Sequence, residues 1–66
     1  MPIIQVNILE GRTDEQKENM IAKMTDVMCE TMNSPKSAVR IIINEMKPQH
    51  FAREGQSIAK ERANKA

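Results

Sequence analysis

The sequence predicts a single α/β domain: one β-α-β unit whose two strands run parallel, followed by a short polar tail. Three observations predict it. Two runs rich in β-branched residues, 2–9 and 39–45, flank one long stretch with helical apolar spacing. That stretch carries helix start and stop signals at its two ends. The 66 residues leave room for one domain, 1–66, and no more.

Residues 2–9, PIIQVNIL, read as the first strand. Ile4, Val6 and Ile8 alternate with Ile3, Gln5, Asn7 and Leu9. Pro2 stands at the start, where a strand tolerates a residue without an N–H. Glu10, Gly11 and Arg12 form the turn out. Thr13 is the expected helix N-cap, and Gln16, three residues on, completes a capping box. Asp14 and Glu15 put negative charge at the positive end of the helix dipole. Met20, Ile21, Met24, Val27, Met28 and Met32 fall on one stripe, while Glu15, Asn19, Ala22, Asp26 and Cys29 point the other way. Asn33-Ser34-Pro35 ends the helix, because the residue before a proline avoids the helical region. Residues 39–45, VRIIINE, are more continuously apolar than the first strand, as expected of a strand buried on both faces. A helical crossover between them makes the strands parallel and the connection right-handed. After Met46, Lys47 and Pro48 open the polar tail, and its last stretch, IAKERANKA, has helical propensity.

Such a chain is expected to assemble. A domain of about 60 residues buries only about 60% of its unfolded surface. Small folds compensate with disulfides, metals or association. Cys29 is the single cysteine and His50 the single histidine, so neither an intrachain disulfide nor a zinc ligand set can be built. A two-stranded sheet is not stable alone, and its open edges recruit partners. The net charge of +1, with both signs interspersed, argues against a nucleic-acid or membrane-surface role. No apolar run approaches a membrane span, and no signal-peptide pattern opens the chain, so a cytoplasmic protein is expected.

Few residues offer chemistry. Cys29 has no histidine nearby in sequence, and His50 stands alone. Arg12 follows a turn glycine. Arg40 says more: it interrupts an apolar strand, where a guanidinium needs an anion, whether a ligand carboxylate or a glutamate of another subunit, or a water-filled cleft.

Four segments in order carry a likeness that spans nearly the whole chain. They are Met-Pro followed at once by a strand, LEGRTDEQK (9–17), SPKSAVRIIINEM (34–46), and His50-Phe51. In these the sequence resembles the 4-oxalocrotonate tautomerase family. The resemblance implies short β-α-β protomers with a C-terminal hairpin, assembled as a homohexamer, a trimer of dimers. It implies that removal of Met1 exposes Pro2 as the catalytic base. It places Arg12 in the matching L-E-G-R and Arg40 in the matching V-R-x-I-I as catalytic and substrate-binding residues. Leu9 and Phe51 would line the substrate pocket, with residues drawn from more than one subunit. The implied reaction is enol–keto tautomerisation of small unsaturated 2-oxo acids such as 2-hydroxymuconate, with no cofactor and no metal. One departure stands out. A glycine-rich turn with a small apolar pocket residue is usual after His-Phe, whereas this chain has Ala52-Arg53-Glu54-Gly55, which puts Arg53 at the pocket mouth.

The competing readings are a cofactor-free hydratase or dehalogenase on the same scaffold, a ribbon-helix-helix DNA-binding dimer and an inactive scaffold oligomer. The dehalogenase needs a pocket acid, and Glu54 is close in sequence but not at the expected position. The DNA-binding dimer needs two helices after its strand and a basic face, whereas VRIIINE is β-branched and the charge is balanced.

Overall fold

The computed structural model describes residues 1–64. Strand β1 is Ile3–Leu9, helix α1 is Asp14–Met32 and strand β2 is Arg40–Met46. The strands pair in parallel from Ile3 opposite Arg40 to Leu9 opposite Met46. Each expected strand is found within a residue of its predicted bounds. The capping box forms as expected: the Gln16 N–H donates to Thr13 Oγ1 at 3.1 Å, and the Thr13 N–H donates to Gln16 Oε1 at 3.0 Å. Asn33 closes α1 in the left-handed region, φ 54°, which asparagine tolerates better than most residues.

The sheet alternates as a half-covered sheet should. Ile4, Val6, Ile8, Ile41 and Ile43 are half-buried on the side of α1. Ile3, Gln5, Asn7, Arg40, Ile42 and Asn44 project from the other side and are exposed. Asn44 Nδ2 donates to Asn7 Oδ1 at 3.1 Å across that open face. The second strand is therefore covered on one face within the protomer, not on both, and Ile42 is 44% exposed. The predicted helix stripe is also only partly covered: Val27 is 54% exposed and Met32 62%. Two strands about 4.8 Å apart are too narrow to cover a stripe that spreads over more than a third of the helix circumference. Cys29, expected to point away, is half-buried, since on the helical wheel it lies beside Met32 at the stripe's margin.

The C-terminal region is the expected hairpin plus a helix. Two-residue strands β3 (Ala52–Arg53) and β4 (Gln56–Ser57) pair antiparallel. Glu54 at φ 53° and Gly55 at φ 79° form the two-residue loop, the double left-handed turn whose twist suits a hairpin. Helix α2, Ile58–Asn64, follows at once. Its start is capped by Ser57, whose Oγ accepts from the Lys60 N–H at 3.1 Å. The Ile58 N–H donates to the Phe51 carbonyl at 2.8 Å, which ties α2 back to the hairpin's entrance. The helical propensity of IAKERANKA is realised through Asn64, and Lys65 and Ala66 lie outside the described residues.

Ile58, 8% exposed, is the one buried hydrophobic residue among those described. The protomer measures 46 × 24 × 15 Å with a radius of gyration of 15.6 Å. A compact domain of this length would have a radius of about 11 Å. Its 5297 Å² of accessible surface also exceeds the roughly 4200 Å² of a folded monomer of 7.5 kDa.

Candidate active site

The sequence-predicted residues fall into two groups at opposite ends of the sheet. Pro2 and Arg40 sit at one end. The Arg40 N–H donates to the Pro2 carbonyl at 3.0 Å, which extends the β1–β2 ladder by one step. Pro2 is half-buried, while Met1 before it is 80% exposed. The Arg40 side chain rises from the open face of the sheet. Its Nη1 donates to the carbonyls of Ser37 at 2.5 Å and Val39 at 3.3 Å. Both belong to the segment just before β2, where Lys36–Ala38 forms a single 3₁₀ turn. The guanidinium is thus steered by backbone dipoles and left available for an anion.

Leu9, Arg12 and Phe51 gather at the other end. Six strand steps of about 3.3 Å put Leu9 roughly 20 Å from Ile3. Arg12, Leu9 and Gly11 line an open recess of about 390 Å³ together with Arg62 of α2. Leu9, Phe51 and Ile58 line an adjoining cavity of about 280 Å³ with Arg53, Glu61 and Arg62. Gly11, at φ 125°, has a conformation few side chains adopt, and it lets the chain leave β1 and carry Arg12 into the recess. Within one protomer, then, the proline and Arg40 do not meet Arg12, Leu9 and Phe51.

Arg53 faces α2. Its Nη2 and Nε donate to the two Glu61 oxygens at 2.6 and 3.2 Å, a bidentate pair. Donating to the Glu61 carboxylate holds the guanidinium above its already high pKa. Glu61 and Arg62 were not among the sequence candidates. A signal existed: once Ile58 is the inward residue of α2, Glu61 and Arg62 follow at i+3 and i+4 and share its face. His50 ends a 3₁₀ turn, Pro48–His50, and is exposed.

The parallel β-α-β fold thus carries guanidinium groups at both ends of a half-covered sheet, Arg40 at one and Arg12, Arg53 and Arg62 at the other. Comparison with known proteins gives the family. The chain belongs to the tautomerase family: the family model described as tautomerase enzyme matches residues 2–61. It is an isomerase, as the named tautomerases like it are. It is 46% identical over 57 residues to a 2-hydroxymuconate tautomerase of Stutzerimonas stutzeri, covering 86% of this chain and 90% of that protein. A solved 4-oxalocrotonate tautomerase isozyme of Methylibium petroleiphilum superposes with a TM-score of 0.91 at 46% identity, over 96% of this chain and 98% of that one. A heterohexameric 4-oxalocrotonate tautomerase of Chloroflexus aurantiacus superposes with a TM-score of 0.84 at 32% identity, over 91% and 97%. The expected family and the β-α-β fold with its C-terminal hairpin are therefore established.

Proposed function

We propose that the protein interconverts enol and keto forms of small unsaturated 2-oxo acids such as 2-hydroxymuconate, with the amine of Pro2 as base and acid after removal of Met1. The observation that carries this reading is the pairing of Pro2 with Arg40 at the half-buried start of the sheet. A free N-terminal proline is a secondary amine. An ordinary α-amino group titrates near about 8. Partial burial and neighbouring guanidiniums lower that value, so the nitrogen is neutral and able to accept a proton.

The reaction moves one proton. The proline nitrogen takes it from the enol hydroxyl, the O–H electron pair closes the C=O bond, and the conjugated double bonds shift along the chain. The resulting prolinium N–H then delivers the proton to carbon. Nothing is oxidised or reduced, so the balance closes without a cofactor. Arg40 binds a carboxylate and stabilises charge that develops on the 2-oxygen. Arg12 holds the far carboxylate, and Leu9 and Phe51 supply an apolar wall. Because the two groups lie about 20 Å apart in one chain, the working site takes its Pro2 end and its Arg12 end from different copies. The assembly is a homohexamer, a trimer of dimers, which also covers Ile3, Ile42, Val27 and Met32. The 44–46% identity to 2-hydroxymuconate tautomerases supports the substrate class.

Retention of Met1 tests the mechanism. With Met1 in place the proline nitrogen is a tertiary amide and carries no basic lone pair. Protein verified by mass to keep Met1 should fold and assemble yet lose about 10²–10⁴-fold in turnover of 2-hydroxymuconate relative to processed protein. Equal rates for the two forms would remove Pro2 from the chemistry.

A further inference from the structure

Two adjoining recesses at the Arg12 end of the sheet share Leu9 and Arg62 and so form one trough. Three guanidiniums line it, those of Arg12, Arg53 and Arg62, against two carboxylates, Glu10 and Glu61. The trough therefore carries more positive than negative charge. Arg53 is its most exchangeable member. One of its two hydrogen bonds to Glu61 is short, at 2.6 Å, and the other is long, at 3.2 Å, while its side chain is 64% exposed. Water screens such a pair, so it opens readily. A ligand carboxylate offers the guanidinium the same planar, two-oxygen partner that Glu61 does. The backbone, in contrast, is fixed: Arg53 pairs with Gln56 across the Glu54-Gly55 turn, and Glu61 stands on the helix that Ser57 caps. Only the side chain has to swing.

We propose that Arg53 is a specificity-determining residue that leaves Glu61 to hold the distal carboxylate of the substrate, alongside Arg12. The site then selects small dianionic acids over monoanionic ones with an apolar tail. An apolar tail laid against Arg53 and Glu61 would strip water from both charges and give nothing in return. Glu61 is the competitor that keeps the empty site neutralised. This inference rests on the reading of the protein as a 2-oxo-acid tautomerase.

Two variants separate substrate binding from a purely structural clamp between hairpin and α2. In processed protein, Arg53→Leu should lower the ratio of kcat/KM for 2-hydroxymuconate to that for phenylenolpyruvate by about ten-fold, the worth of one charge-assisted contact. Glu61→Gln should raise the ratio, because Arg53 loses its competitor. A clamp predicts instead that both variants move the ratio in the same direction, or not at all, and lower the melting temperature together. Calorimetric titration with adipate, a saturated diacid that cannot react, gives a second readout: affinity should fall about ten-fold in Arg53→Leu and rise in Glu61→Gln. An active wild type whose ratio and adipate affinity ignore both variants overturns this inference and leaves the tautomerase reading standing. A wild type that binds adipate through Arg53 but turns over neither substrate overturns the proton-transfer reading alone. A wild type that binds no adipate removes the dianion site.

Discussion

Replacing Arg40 by alanine separates the chemistry of the sheet's Pro2 end from its folding. The structure sets the stability side. The guanidinium is exposed and its hydrogen bonds run to two carbonyls of its own chain, those of Ser37 and Val39, three residues and one residue back. Both are local contacts at the surface, so losing them should cost less than about 1 kcal/mol. The β1–β2 ladder survives, because the bond to the Pro2 carbonyl comes from the Arg40 backbone, which alanine keeps. The catalytic side is larger. A positioned donor aimed at developing oxyanion charge is worth about 2.7–4 kcal/mol, which is about 10²–10³-fold in kcat. The assay is ketonisation of 2-hydroxymuconate, followed by ultraviolet absorbance, beside thermal melts and light scattering of the same preparation. Unchanged kcat with a collapsed melt would make Arg40 a structural residue and refute the argument.

Three further outcomes are expected. Light scattering of the wild type should give six times the 7.5 kDa protomer mass, and a stable monomer at micromolar concentration would sink the shared site. Glu54→Asn should raise the melting midpoint by the equivalent of about 0.5–1 kcal/mol, since asparagine accepts the left-handed φ of 53° more readily than glutamate does; a lower midpoint would show that Glu54 makes contacts that outweigh its strain. Lys17 bonds Glu45 at 2.9 Å and approaches Asp14 at 3.3 Å, and these partners, Glu45 first, raise its pKa above 10.5. Its contribution to stability is therefore complete below pH 10.5 and lost as pH climbs through the higher folded value, so the alkaline decline of the melting temperature should weaken in Lys17→Met, and an identical decline in both proteins would contradict it.

The β-α-β unit was legible in the sequence because each element announces itself locally. Thr13 and Gln16 mark the helix start on their own, and Asn33 and Pro35 mark its end. The two strands show a run of β-branched residues that needs no tertiary information. Burial was less legible. The apolar content of 39–45 implied two covered faces, but the chain covers one, because its single long helix packs on one side of the sheet. The C-terminal hairpin left little periodic trace, since two-residue strands are too short for alternation and Glu54-Gly55 is a weaker turn signal than Asn-Gly. Ser57 as a helix cap passes unnoticed without an acidic partner three residues on, where Lys60 stands. Of the five candidate site residues, Arg40 stands out by its chemistry, while Pro2, Leu9, Arg12 and Phe51 come from the family likeness alone, for Arg12 and Phe51 are unremarkable loop residues until the fold brings them beside Leu9.

If the working site takes its Pro2 end and its Arg12 end from different copies, as proposed, each chain has two separable genetic functions. A chain that keeps Met1 lacks the amine but presents an intact Arg12, and a chain carrying Arg12→Ala lacks the cation but presents an intact Pro2. On that proposal neither makes a working site with copies of itself. Unfolded together and refolded as a mixture, they should combine in one oligomer, and wherever the Pro2 end of one faces the Arg12 end of the other a complete site should be restored. On that reading a single short gene carries lesions that complement one another between alleles.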